Sequence, residues 1–115
     1  MRVLFVDDEP NVLDSIRRQL RKSVDIHTAA SGDEALRLLQ ELGPVALVVS
    51  DMRMPMMDGA ALLAEVRERY PATARIILSG HAEREAVVRS LPVAHQFLSK
   101  PCNAEQLRSV IERAW

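Results

Sequence analysis

The feature that most constrains the fold is a regular alternation of two patterns along the chain. Runs rich in β-forming residues appear at 2–6, 25–29, 45–50, 75–79 and 95–99. Between and after them lie segments with apolar residues at helical spacing, at 10–22, 32–42, 58–69, 83–91 and 103–114. Strands that alternate with helices predict a parallel sheet with helices on both faces, because crossovers between parallel strands are right-handed. Five such units are too few for an eight-stranded barrel, so we expect an open, doubly wound α/β sheet.

Composition narrows the class of protein. A chain of 115 residues is expected to form one domain, residues 1–115. Its 48% hydrophobic and 27% charged residues are typical of a globular protein, and its net charge of −1 favours neither nucleic acid nor a membrane surface as a partner. The single cysteine, Cys102, excludes a disulfide framework and a thiolate zinc site. Because no segment resembles a signal peptide or a membrane span, we expect a cytoplasmic location.

Polar residues stand where four of the predicted strands end. They are Asp7 and Asp8 after the first strand, Asp51 after the third, Ser79 at the end of the fourth and Lys100 after the fifth. In open parallel sheets, ligands bind beyond the carboxyl ends of the strands. A single aspartate after a strand is most often a turn former or a helix cap. Five suitable side chains at one predicted edge favour a functional site instead.

These residue types predict phosphoryl-transfer chemistry. Clustered carboxylates repel one another unless a divalent cation neutralises them, and a few oxygen ligands completed by water and phosphate suit Mg²⁺. Lys100 offers a positive charge for an anion, and Ser79 offers a hydroxyl donor. Asp51 is then the expected nucleophile.

With these motifs in view, the chain resembles a response-regulator receiver domain from Val3 to about Ala114. The signatures are VDDEP at 6–10, SDMRMPMMDG at 50–59, ILSG at 77–80 and FLSKP at 97–101. Each signature alone is weak, but the four in this order and spacing are specific. The resemblance implies a flavodoxin-like (βα)5 fold with strand order 2-1-3-4-5.

The resemblance also implies roles for the residues at the site. Asp51 matches the phosphoacceptor, which takes a phosphoryl group from a sensor histidine kinase or a phosphotransfer protein. Asp7 and Asp8 match the acidic pair that binds Mg²⁺ together with Asp51, and the backbone carbonyl of Arg53 matches a further protein ligand. Such a domain catalyses its own phosphorylation and dephosphorylation but is not a metabolic enzyme.

A switch is implied at the fourth and fifth strands. Ser79 and Lys100 match the switch hydroxyl and lysine, Phe97 matches the switch aromatic, and the bond before Pro101 is expected to be cis. Phosphorylation would draw Ser79 toward Asp51 and let Phe97 turn inward. The face that changes, which is also the expected homodimer face, comprises residues 83–91, 95–99 and 103–114.

Other residues are assigned to the surroundings of the site. Arg53 and His81 are expected to modulate the lifetime of the phosphoryl group, although solvated roles for both fit equally well, and Gly80, which has no side chain, is expected to leave room for a phosphodonor to approach. Gly59 is expected to permit a tight entry into the third helix. The methionines of this region are expected to pack within the loop rather than bind metal, and they are Met52, Met54, Met56 and Met57.

Alternatives from other classes remain open. A pseudo-receiver would bind partners without phosphoryl chemistry, although such domains commonly lose part of the residue set that is complete here. A haloacid-dehalogenase-type phosphohydrolase needs a DxD motif that VDDEP lacks, and no nucleotide-binding glycine motif is present. The basic residues of the first helix form either a solvated face or a kinase-docking surface, and they are Arg17, Arg18, Arg21 and Lys22. The output is expected from a C-terminal domain or a separate downstream protein.

Overall fold

The computed structural model describes residues 1–43, 45–79, 96–99 and 109. Its elements are β1 (Arg2–Val6), α1 (Pro10–Leu20), β2 (Asp25–Ala29), α2 (Gly32–Leu42), β3 (Leu47–Asp51), α3 (Gly59–Arg69), β4 (Ala74–Ser79) and β5 (Gln96–Ser99). Every boundary agrees with the sequence prediction to within two residues. The predicted helices at 83–91 and 103–114 lie outside the described residues, except that Ser109 is helical and exposed.

The strands form one parallel sheet in the order β2-β1-β3-β4-β5, which confirms the predicted flavodoxin-like topology. Strand β3 starts at Leu47 rather than at residue 45 and extends through Asp51, because Asp51 still pairs with Leu78 of β4. Since all pairs are parallel, the carboxyl ends of the strands lie at one edge, which we call the carboxyl edge.

Apolar side chains cover both faces of the sheet, as the doubly wound prediction requires. Helix α1 packs on one face, where the buried core consists of Val3, Phe5, Leu13, Ile16, Leu20, Leu47, Val49, Ile76 and Leu78. Helices α2 and α3 pack on the other face with Leu4, Val6, Ala35, Leu39, Val48, Leu62, Leu63, Val66 and Ile77. Alternate residues of β1 and β3 therefore pack into the cores on opposite faces of the sheet, and for this reason each strand has a continuous apolar run in its sequence.

Side chains fix where α2 and α3 begin at the carboxyl edge. The hydroxyl of Ser31 accepts the Glu34 N–H at 3.1 Å, and the Glu34 carboxylate accepts the Ala30 N–H at the same distance. Asp58 accepts the Ala61 N–H at 2.8 Å. Each cap satisfies a backbone donor that the first turn leaves free. Among the described residues, no helix has the length and apolar character that a membrane crossing requires.

Candidate metal centre

Asp7 and Asp8 follow β1 directly at the carboxyl edge. Asp7 is only 2% exposed, whereas Asp8 is exposed. The Asp7 N–H donates to the Ala29 carbonyl at 3.1 Å and so continues the pairing of β1 with β2. The Glu9 N–H donates to Oδ1 of Asp7 at 3.0 Å, which orients this carboxylate from the following turn. The chain thus holds one acidic group inside the edge and the next at its surface.

Asp51 is held by the end of β3. It is 3% exposed, and it pairs in register with Leu78. The Met52 N–H donates to the Leu78 carbonyl at 2.9 Å, and the Ser50 hydroxyl donates to the Asp51 carbonyl at 2.9 Å. The peptide that follows Asp51 is therefore hydrogen-bonded through both its carbonyl and its N–H, which holds Asp51 at the end of the sheet.

The three aspartates form one cluster. One carboxylate oxygen from each of Asp7, Asp8 and Asp51 lies within 4.8 Å of the other two. Between the buried pair, Asp7 and Asp51, the repulsion is about 3 kcal/mol at an effective dielectric constant of about 20. A divalent cation would reverse the sign of this interaction. The donors are all carboxylate oxygens, two of them buried, which fits Mg²⁺ rather than a metal that prefers sulfur or nitrogen.

Residues 52–58 connect β3 to α3, and we call them the acceptor loop. Met52 and Met54 are buried, as expected for packing residues. The same prediction is wrong for Met56, whose side chain is fully exposed, at 102%. Met56 also has a φ of 71°, and the Met57 N–H donates across it to the Pro55 carbonyl at 2.7 Å. This is a three-residue turn with a left-handed central residue, which places the Met56 side chain in solvent.

The acceptor loop ends against the residue that follows Asp51. The Gly59 N–H donates to the Met52 carbonyl at 2.8 Å, so α3 begins directly beside the end of β3. The tight helix entry expected at Gly59 is present. Arg53 lies in the same loop with an exposed side chain, and the role of its backbone carbonyl as a metal ligand stays a prediction.

The remaining predicted site residues belong to the other half of the carboxyl edge. Ser79 is the last residue of β4 and pairs with Ser99 of β5, while Phe97 pairs with Ile77. The structure describes the backbone but not the side chains of Ser79 and Phe97. Four further predicted residues lie outside the described residues altogether, and they are Gly80, His81, Lys100 and Pro101.

Two supporting residues carry no functional group and were not identified from the sequence. The Ala29 carbonyl at the end of β2 accepts the Asp7 N–H and so supports the site through the backbone. Gly32, the first residue of α2, lies against the side chain of Met57 in the acceptor loop. In the sequence, the one sign of a special role for Gly32 is that it follows a serine cap directly, at a helical position where a better helix former is the usual choice.

Comparison with known proteins agrees with this geometry. A family model of the response regulator receiver domain matches residues 3–112. The sensor kinase CckA of Brucella abortus is 42% identical over 114 residues, which are 96% of this chain and 12% of that protein. The hydrogenase transcriptional regulatory protein HoxA of Cupriavidus necator is 37% identical over 97% of this chain and 23% of its own length. The chain thus spans less than a quarter of these two relatives.

Solved structures share the whole fold. A response regulator receiver domain protein from Clostridium thermocellum superposes with a TM-score of 0.89 at 33% identity, covering 98% of this chain and 92% of that one. An adenylate cyclase structure from Rhodopirellula baltica gives a TM-score of 0.92 at 28% identity, covering 98% of this chain and 85% of that one. The family match, the sheet order and the clustered aspartates lead to the same conclusion: the chain belongs to the response regulator receiver domain family of two-component signalling.

Proposed function

We propose that residues 1–115 form a phosphoacceptor switch in which Asp51 receives a phosphoryl group in a Mg²⁺-dependent reaction. The donor is a phosphohistidine of a sensor kinase or of a phosphotransfer protein. The observation that carries this proposal is the convergence of Asp7, Asp8 and Asp51, with oxygens within 4.8 Å of one another. Asp51 is the member of the cluster that stands at the end of β3, as the family pattern of the acceptor requires.

The chain offers its own ligands for the cation. Asp7, Asp8 and Asp51 would hold Mg²⁺ together with the backbone carbonyl of Arg53. When bound, Mg²⁺ offsets the negative charge on the phosphoryl oxygens and so favours attack by an anionic carboxylate. Asp7 is preset for this role, because the Glu9 N–H already fixes its carboxylate.

The chemical step belongs to Asp51. One of its carboxylate oxygens forms the new bond to phosphorus, the phosphorus–nitrogen bond to the donor imidazole breaks, and that electron pair leaves with the nitrogen. Hydrogen bonds to the carbonyl and from the N–H of the peptide that follows Asp51 hold the nucleophile in place before the donor arrives, which lowers the entropic cost of reaction. Water then attacks phosphorus, the bond between phosphorus and the Asp51 oxygen breaks, and inorganic phosphate leaves as the carboxylate is restored. Both steps use residues of this chain, so the domain promotes its own phosphorylation and dephosphorylation.

The switch is proposed from sequence positions at the ends of β4 and β5. Lys100 would pair with the phosphoryl oxygens, and the hydroxyl of Ser79 would move toward them. Phe97 would then turn inward and alter the face formed by residues 83–91, 95–99 and 103–114, the proposed homodimer and output face. A cis bond before Pro101 would direct Lys100 into the site. Arg53, Gly80 and His81 would set how readily donors and water reach Asp51.

The partners follow from the same proposal. Because the curated relatives are several times longer than this chain, we propose that the output resides in a C-terminal domain or in a separate protein. The switch domain itself would contact neither nucleic acid nor membrane, and it would work in the cytoplasm, where its kinase presents the phosphohistidine.

The test is intact-mass analysis after incubation with acetyl phosphate, with and without Mg²⁺. The wild-type chain is expected to gain one phosphoryl group that alkali removes, and only when Mg²⁺ is present. The Asp51→Asn variant is the matched control, because it keeps the size of the side chain and removes the nucleophile. Absence of an adduct on a folded wild-type chain would contradict the proposal and favour a partner-binding pseudo-receiver.

A further inference from the structure

We infer that Gly32 is a positioning residue for the metal centre, acting through the side chain of Met57 in the acceptor loop. The inference rests on the proposed function and adds to the polar residues of the site a glycine that helps to hold them in place. Part of the metal centre is therefore supported by the connection from β2 to α2, which contributes no functional side chain.

The contact between Gly32 and Met57 leaves no room for a larger residue. A Cβ atom on Gly32 would lie 2.5 Å from Sδ of Met57 and 3.0 Å from both its Cβ and its Cγ. Sδ alone could swing away, but the Met57 Cβ is fixed to the loop backbone. A methyl group at residue 32 would therefore push on the acceptor loop itself.

Backbone conformation does not explain the glycine. Among the described residues, the glycine with a positive φ is Gly43, not Gly32. Gly32 occupies the first helical position after the Ser31 cap, where the backbone conformation suits any residue and most are better helix formers. What remains is the close approach of Met57, which an added side chain at residue 32 would displace.

Met57 lies in a loop that has little freedom to move. Its own N–H donates to the Pro55 carbonyl at 2.7 Å, and the following residue, Asp58, caps α3. The loop then closes where the Gly59 N–H donates to the Met52 carbonyl, next to Asp51. A displacement of Met57 would accordingly pass to Met52 and Arg53, which border the acceptor and its proposed carbonyl ligand.

The start of α2 is also connected to the other side of the cluster. The Asp7 N–H donates to the Ala29 carbonyl, and two residues, Ala30 and Ser31, separate Ala29 from Gly32. The first turn of α2 is thus linked to the Asp7 side of the metal centre through Ala29 and to the Asp51 side through Met57. Gly32 sets how closely the acceptor loop approaches that turn, and through it the spacing of the aspartates.

The experiment compares the variants Gly32→Ala, Met57→Ala and the double variant with the wild type. Asp33→Ala is the matched control, because Asp33 is the next residue of the same helical turn and is exposed. Three quantities are measured on each: the Kd for Mg²⁺ by titration calorimetry, the initial rate of phosphorylation by acetyl phosphate, and the unfolding midpoint in urea.

We expect Gly32→Ala to weaken Mg²⁺ binding about tenfold, as losses in supporting shells of metal sites do. Phosphorylation at subsaturating Mg²⁺ should slow in proportion. Shortening Met57 in the same chain removes the collision, so the double variant should bind Mg²⁺ as Met57→Ala alone does. The control Asp33→Ala should stay within about twofold of the wild type. A purely structural effect on α2 would shift the urea midpoint without this rescue.

Two results would overturn the inference. One is a folded Gly32→Ala variant whose Kd for Mg²⁺ stays within about twofold of the wild type. The other is a double variant that binds Mg²⁺ no better than Gly32→Ala does. If Gly32→Ala does not fold, a double variant that also does not fold would overturn the inference. Failure of the proposed function looks different, since the wild type itself would then take no phosphoryl group.

Discussion

The carbonyl oxygen of Asp51 lies 2.5 Å from the point that a Cβ atom on Gly59 would occupy. The Met52 Cα is 3.0 Å and the Ile77 Cδ1 is 2.9 Å from the same point. The first residue of α3 is therefore pressed against the peptide of the acceptor, with core on its remaining side. The same short connection that packs α3 on the sheet also fixes the position of Asp51.

The variant Gly59→Ala should disturb both stability and phosphorylation. Since the added methyl group meets backbone rather than a flexible side chain, we expect a loss of about 2 kcal/mol in the free energy of unfolding. The acceptor peptide must shift, so the phosphoryl yield should fall as well. Urea unfolding and intact mass measure the two effects.

The control for Gly59→Ala is Ala61→Gly, an exposed change in the same helical turn. It should cost up to about 1 kcal/mol through helix propensity while leaving the phosphoryl yield unchanged. If Gly59→Ala phosphorylates as fast as the wild type, the close approach does not position the acceptor.

The strands and the aspartate cluster were predictable from the sequence because a single rule places them, whereas the strand order was implied by the resemblance to receiver domains. Parallel strands bring their carboxyl ends together, so Asp7 and Asp51 could be assigned to one edge without knowledge of any contact. The Gly32–Met57 contact follows from no such rule, because it depends on the path of two loops that are distant in sequence. The same is true of Met56, whose exposure results from the sign of one backbone angle.

Replacing Met56 with glycine should stabilise the chain. Met56 has a φ of 71°, a conformation that costs a residue with a side chain roughly 1–2 kcal/mol and costs glycine almost nothing. Part of that gain is offset by the larger entropy of glycine in the unfolded chain, so the net increase should be about 0.5–1 kcal/mol. Urea unfolding of Met56→Gly against the wild type measures it.

The variant Met56→Ala separates backbone strain from side-chain effects. The alanine variant loses the methionine side chain but keeps the strained left-handed backbone. Because the Met56 side chain is exposed to solvent, the stability of Met56→Ala should match that of the wild type. Equal stabilisation by alanine and glycine would show that strain at this residue is not the cause.

Asp25 gives the stability of the chain a specific pH dependence at the edge of the sheet opposite the metal centre. The Arg2 Nε donates to its carboxylate at 3.2 Å, and Nε2 of His27 lies 3.1 Å from its other oxygen. The hydrogen bond from Arg2, followed by the close approach of the His27 imidazole, holds the pKa of Asp25 below its ordinary value. A lowered folded-state pKa stabilises the fold above the unfolded pKa, about 3.9, and that contribution disappears as pH falls through the folded value.

The variant Asp25→Asn tests this pH dependence. It should be less stable than the wild type at neutral pH, and the difference should shrink progressively as pH falls below about 4. Urea unfolding across this range measures the difference, and Glu68→Gln, an exposed change on α3, controls for the loss of one negative charge. A difference that stays constant down to pH 3 would contradict the assignment.

The aspartate cluster should make the metal-free chain less stable than it would be with one carboxylate fewer. Asp8 is the exposed member, so Asp8→Asn removes charge from the cluster without opening a cavity. Without Mg²⁺ the free energy of unfolding of this variant should exceed that of the wild type by about 1 kcal/mol, because repulsion with Asp7 and Asp51 is relieved.

With Mg²⁺ at about 100 times its Kd, the free energy of unfolding of the wild type should rise by about 2.7 kcal/mol and that of the variant by much less. The order of stability should therefore reverse when Mg²⁺ is added. An equal Mg²⁺ effect on both proteins would place the cation elsewhere.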